Sequence, residues 1–194
     1  GSVDTKPKVE FIEFVVLEAG NLGGIEIVNT MNTVRPSYEF PPAEVSVGDY
    51  VVYHLRSIEE GLVNETGAVD ASAGTDSRPD ARDFWDTQTR SALKETNVLL
   101  LRERKNGAIQ EAVLYAAPDA TVWPNDTVKA AANLAVSSGA WKPDALVANA
   151  ASTAECALTR TLCRDALSRD TDTAADWAIC ARSKCTPGAV NVAR

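Results

Sequence analysis

The chain has 194 residues, 45% hydrophobic and 24% charged, with a formal net charge of −8 and a single histidine. That balance excludes wholesale disorder and a histidine-rich metal centre, and no apolar run approaches the ~18 residues of a membrane span. Acid is concentrated early: residues 1–97 carry 8 basic and 17 acidic side chains, whereas residues 98–194 carry 11 and 10. A surface for nucleic acid gathers Lys and Arg against phosphate, so the distribution argues against that partner.

In chain order, residues 1–7 read as a cloning scar and a flexible polar stub, and residues 8–194 as a single domain. Lys8–Leu17 (KVEFIEFVVL) is rich in Phe, Ile and Val and predicts a strand. The turn Asn21-Leu22-Gly23-Gly24 leads to a second short strand, Ile25–Asn29, and Pro41-Pro42 interrupts before Val45–Val47. Tyr50–Leu55 (YVVYHL) predicts a buried strand. Residues 59–97 mix eight acids from Glu59 to Asp86, and Glu95, with Gly, Ser, Thr and Ala and predict a long acidic loop pinned by Arg82-Asp83-Phe84-Trp85-Asp86. Val98–Arg102, Lys105-Asn106-Gly107 and Ala108–Tyr115 predict a hairpin on a type I′ turn. A helix capped by Asn125 or Asp126 is predicted next, running to about Ser137 and closed by Gly139. Thr159–Arg164 returns to strand chemistry, and the remainder reads as loop. Many short strands with turn signals between them predict a mainly β fold, a β-sandwich with one inserted helix and long loops.

Four cysteines, Cys156, Cys163, Cys180 and Cys185, fall in the last fifth of the chain. Their spacing lacks the Cys-x2-Cys hook of structural zinc sites, and the even number predicts two disulfides and an oxidising compartment. Nested and local pairings both remain open, because spacing does not determine connectivity. The expected location is therefore extracellular, periplasmic or surface-anchored, with a signal or anchor segment expected ahead of Gly1.

Asp170-Thr171-Asp172-Thr173-Ala174-Ala175-Asp176-Trp177, followed by Thr186-Pro187-Gly188-Ala189-Val190-Asn191, resembles the closing signature of bacterial lamin tail domains. Thr161-Leu162-Cys163-Arg164 stands where that family has its Ser-Leu-x-Arg strand. Ile25–Asn29 is similar to its I-E-L-x-N strand, Val47–Val52 to its P-G-D-Y-L-V segment, and Val98–Leu100 with Ala112–Tyr115 to its central hairpin. The resemblance covers about two thirds of the chain and implies an immunoglobulin-like sandwich; it does not imply an enzyme. Set against that family, residues 59–97 (acidic loop) and 118–155 (helical) look like insertions; these and the cysteines depart from a minimal member, so binding properties do not carry over.

Candidate functional groups are few. Asp170, Asp172 and Asp176 offer oxygen ligands to Ca²⁺, the one ion the pattern suggests, set against Asx-turn capping, and no other cofactor is expected. His54 lacks a nucleophile elbow or phosphate loop and is expected on a strand near the surface, so no catalytic residue is assigned. Trp177 is expected in the core beneath the Thr186-Pro187-Gly188 turn. Phe84, Trp85, Trp123 and Trp141 are the candidate partner contacts, since aromatics in long loops anchor interfaces. The expected function is a non-enzymatic, exported binding or structural module whose loops meet a protein or cell-surface partner. The alternative is a metal-dependent phosphoesterase or nuclease-type enzyme, or an accessory domain of one.

Overall fold

The computed structural model describes residues 10–89, 92–156, 160–164, 170–180 and 187–191. In chain order its elements are β1 (Phe11–Val15), β2 (Gly20–Asn21), β3 (Glu26–Asn29), β4 (Ser37–Glu39), β5 (Glu44–Val45), β6 (Tyr50–His54), β7 (Arg82–Trp85), β8 (Asn97–Arg102), β9 (Ile109–Ala116), α1 (Asp126–Ser138), β10 (Ala151–Ser152), β11 (Leu162–Arg164) and β12 (Trp177–Ile179). The described residues are thus mainly β with one α-helix, the content of a β-sandwich carrying a helical insertion. No helix among them is long and apolar enough to cross a membrane. The chain divides into two compact, discontinuous units: residues 1–25, 38–92 and 187–189 form the first, and 26–37, 93–186 and 190–194 the second.

The first unit is built on the sheet β1-β6-β7. β1 runs antiparallel to β6, from Phe11 opposite His54 to Val15 opposite Tyr50. β7 runs parallel to β6, with Val51 beside Arg82 and His54 beside Trp85. A parallel pair cannot be joined by a tight turn, so the chain between them must cross over. This accounts for the length of the acidic segment, and it corrects the expectation that residues 59–97 are all loop. Arg82–Trp85 is a strand whose four residues are all buried. Tyr38 stacks on Tyr53 at 4.3 Å between ring centroids, and Phe40 meets Phe84 edge-on at 5.0 Å, giving this unit an aromatic core.

The second unit is centred on the β8–β9 hairpin, with β3 antiparallel along β8 and β10 parallel to β9. Val98, Leu100, Ala112 and Leu114 form one core with Val128, Ala132 and Ala135 of α1 and with Trp141. The helix starts where Asn125 Oδ1 accepts the Val128 N–H (3.0 Å) and stops at Gly139, whose φ of 85° is open to glycine. The hairpin turn differs from the predicted type I′. Asn106 takes a left-handed φ of 58°, but Gly107 is not among the positive-φ residues, and Glu103 N–H bonds to Ala108 O across a longer loop. A register shift between Leu101 and Arg102 lengthens the connection. Glycine is needed at 107 for clearance: a Cβ there would lie 2.7 Å from Arg104 Cγ and 3.0 Å from its carbonyl oxygen. In the stretch read as carboxyl-terminal loop, Trp177–Ile179 forms β12, paired antiparallel with β11.

Candidate functional site

In the first unit, residues 59–81 are held by a buried polar network rather than by an apolar core of their own. Glu65 is 2% exposed, and its carboxylate accepts N–H bonds from Ala71 (2.7 Å), Ser72 (2.9 Å) and Asp83 (2.8 Å). Glu65 N–H donates in turn to Asp83 O, and Asn64 Oδ1 accepts from Trp85 N–H at 2.7 Å. These groups fill the hydrogen-bonding edge of β7, the end strand of its sheet. Arg82 ties the crossing down from the other direction, Nη1 donating to the carbonyls of Glu65 (2.6 Å) and Gly67 (2.9 Å).

His54 lies at the centre of this arrangement. Its Nε2 is 2.7 Å from Asp83 Oδ1, and its ring stacks on Trp85 at 3.8 Å with an interplanar angle of 10°. Trp85 Nε1 donates to Ser72 Oγ (2.9 Å), and Arg78 N–H donates to the other Asp83 oxygen (2.8 Å). His54 is 1% exposed and Asp83 0%, which corrects the expectation of a histidine near the surface. The correction follows from β6 being paired on both sides, so that all but its first residue are buried. Chemically the pair orients side chains within the network, His54 by its contact to Asp83 and its stacking on Trp85.

Three of the four aromatic residues expected to meet a partner are buried instead. Phe84 (0% exposed), Trp85 (5%) and Trp141 (1%) are core residues, because β7 and the second-unit core enclose them. Trp123 is half-buried, and its Nε1 donates to Ala145 O at 2.7 Å. Outside the network, the first unit carries a surface cavity of about 190 Å³, lined by Asp49, Tyr50, Val69, Pro79, Asp80 and Arg82 among others.

The second unit contains the three aspartates of the carboxyl-end motif, each engaged by a different partner. Asp170 pairs with Arg164 Nη1 at 2.9 Å, and Asp172 with Lys142 Nζ at 2.8 Å. Asp176 accepts from the Thr171 N–H (2.9 Å), the Thr171 hydroxyl (2.6 Å) and the Thr173 N–H (3.2 Å) in a capping box. Among the described residues no group of three or more His, Cys, Asp or Glu converges as a metal site. Arg164 also bonds Glu111 on β9 (2.8 Å) and lies 5.0 Å above the Trp177 ring. Trp177, expected in the core, is half-buried and packs against the second-unit core, while Thr186 of the turn expected above it lies outside the described residues. Burial pushes the Glu111 carboxyl up to about 7 against the pull of Arg164. Desolvation acts on Asp170 and Asp176 too, but Arg164 outweighs it at Asp170, and the Thr171 and Thr173 donors outweigh it at Asp176, so both sit below the usual carboxylate range.

Cys156 is a thiol, which corrects the prediction that all four cysteines pair. Cys180 is disulfide-bonded, and Cys185 lies outside the described residues. Cys163 sits on β11 opposite Ala178, not opposite Cys180, so the ladder register does not bring the nested pair face to face. Burial raises the Cys156 thiol above its ordinary range, which makes it a poor nucleophile.

The network residues Asn64, Glu65 and Ser72 were not singled out from sequence. The available signal was an acidic segment leading into a stretch that ends in Trp, but nothing local distinguishes a carboxylate that turns inward from one that faces water.

Over 141 residues, 68% of this chain, the sequence is 37% identical to a Treponema pallidum (strain Nichols) protein named "Uncharacterized protein". The matched part spans about a third of that relative, 36% of its length. Residues 2–179 match the TP_1001_2nd family, described as "protein second domain". The chain belongs to this family.

Proposed function

We propose that the chain is a non-enzymatic binding module of lamin-tail type, an immunoglobulin-like sandwich that is exported and presents its 59–81 crossing to a protein partner. The observation that carries this reading is the state of the His54–Asp83 pair: both side chains are sealed, and their contacts hold the crossing in place. A histidine poised for acid–base work must come within hydrogen-bond reach of a substrate. The order of the lamin-tail-like segments along the chain supports the family analogy, and the disulfide at Cys180 supports an oxidising compartment. Fixing the crossing in advance lowers the ordering cost of binding, which suits a loop whose work is recognition.

The test is site-specific photo-cross-linking of the full chain in cells of its source organism. A benzophenone amino acid is placed at Val69 in the crossing and, as a control, at the exposed Leu134 of α1. The reading predicts an adduct of discrete mass from position 69 and none from 134. Equal adducts from both positions, or none, would contradict it. So would phosphodiester hydrolysis by the pure protein that one point substitution abolishes.

A further inference from the structure

The crossing has a defined chemistry where it meets the turn between β5 and β6. Val16 N–H donates to Asp49 O (2.9 Å), and Gly48 N–H donates to Val16 O (2.8 Å). These bonds hold Val15 and Leu17 beside Val47, Gly48 and Asp49. Leu17 is 82% exposed, Val47 66%, Val15 49% and Val69 44%. Single exposed aliphatics are ordinary on a protein surface, but Val69 is in the cavity wall, Val15 pairs with Tyr50 of the lining, and Leu17 and Val47 lie at the turn that supplies Gly48 and Asp49 to it.

The cavity combines apolar walls with outward negative charge. Tyr50, Val69 and Pro79 supply the walls, and Asp49 and Asp80 the carboxylates. The Ser46 N–H orients Asp49 by donating to its Oδ2 at 2.8 Å. Arg82 also lines the cavity, but it is only 8% exposed and its Nη1 is committed to the carbonyls of Glu65 and Gly67. The two carboxylates, exposed at Asp80 and half-exposed at Asp49, outnumber the one buried guanidinium, so a visitor meets net negative charge. A lysine or arginine side chain matches this lining, since its methylene stem packs on apolar walls while its head reaches a carboxylate. A lone small amine would leave the aliphatic collar uncovered, so the collar calls for a chain that continues on both sides of the cation.

We infer that this surface docks a protein segment that inserts one Lys or Arg side chain into the cavity and lays aliphatic neighbours on Val15, Leu17, Val47 and Val69. The inference rests on the binding-module reading and names the chemistry of its partner.

The experiment uses the full ¹⁵N-labelled chain and an acetylated, amidated peptide, Val-Leu-Arg-Leu-Val, followed by amide chemical shifts. The expected result is a set of saturable shifts at Gly48, Asp49, Tyr50, Val69, Asp80 and Arg82. The same peptide with Glu in place of Arg should leave them unmoved. Asp80→Asn and Leu17→Ser are surface changes that should keep the melting temperature and weaken the Arg peptide by about fivefold each. Equal binding of the Arg and Glu peptides, shifts centred elsewhere, or no shift at millimolar peptide overturns the inference. A silent titration together with a discrete cross-link from Val69 removes this surface and leaves the binding module standing. Silence in both experiments removes both.

Discussion

Three backbone N–H groups, those of Ala71, Ser72 and Asp83, converge on the Glu65 carboxylate inside the first unit. Truncating it leaves the buried Ser72 and Asp83 donors unsatisfied and the part-buried Ala71 donor without its partner, each buried donor worth about 1 kcal/mol or more. Glu65→Ala should therefore destabilise the first unit by about 3 kcal/mol in urea unfolding, and a loss below about 1 kcal/mol would show that water replaces the carboxylate at little cost. Glu111 makes the opposite kind of prediction. Its carboxyl titrates near 7 in the fold against an ordinary 4.5, so between those values the folded state holds a proton that the unfolded chain has released. Its contribution to stability is greatest below about pH 4.5, declines as pH rises to 7 and is level above that. Part of the side chain faces water, so the decline should amount to about 1–2 kcal/mol after screening. Asp170 and Asp176 act in the reverse direction, since carboxyls held below the usual range lose their contribution as pH falls through their own titration. Subtracting the urea stability of Glu111→Gln from that of the parent, from pH 4 to pH 8, isolates the Glu111 slope. A flat difference would contradict the assignment.

At the scale of elements, α1 was fully legible, because its determinants are local: an Asn that caps, alanines and valines spaced along one face, and a Gly that stops it. Asn125→Ala should cost about 1 kcal/mol of second-unit stability, read by helical circular dichroism during thermal unfolding. The β8–β9 hairpin was legible in its strands but not in its turn, because the register shift at Leu101 and Arg102 depends on cross-strand packing. β7 was invisible as a strand. Its first two residues, Arg82 and Asp83, are charged, and their burial depends on Glu65 and His54, far away in the sequence. Only the anchoring role of Arg82–Asp86 could be read. The Asp170–Asp176 motif shows the same limit: its spacing fits oxygen ligands, while the partners that engage it include Arg164 and Lys142, and Lys142 lies 30 positions from Asp172.

Across the whole molecule, the chain's excess of acid splits into two populations. Glu65, Asp83 and Asp86 are buried and pay for their desolvation with hydrogen bonds that shape the first unit, Asp86 through Tyr53 at 2.6 Å. Glu60, Asp70 and Asp80 remain in water, where they bias the surface toward cationic partners. The 59–81 crossing has the composition of a loop, yet its backbone donors are taken up by side chains as a strand's are by its neighbours. Native-state hydrogen exchange at Ala71 and Ser72 tests it most directly. These two amides should exchange at rates within about tenfold of Val52 in β6, and Glu65→Ala should release them. Exchange at the rate of an unstructured chain in the parent protein would show that the crossing is not preformed, and the binding-module reading would lose its physical basis.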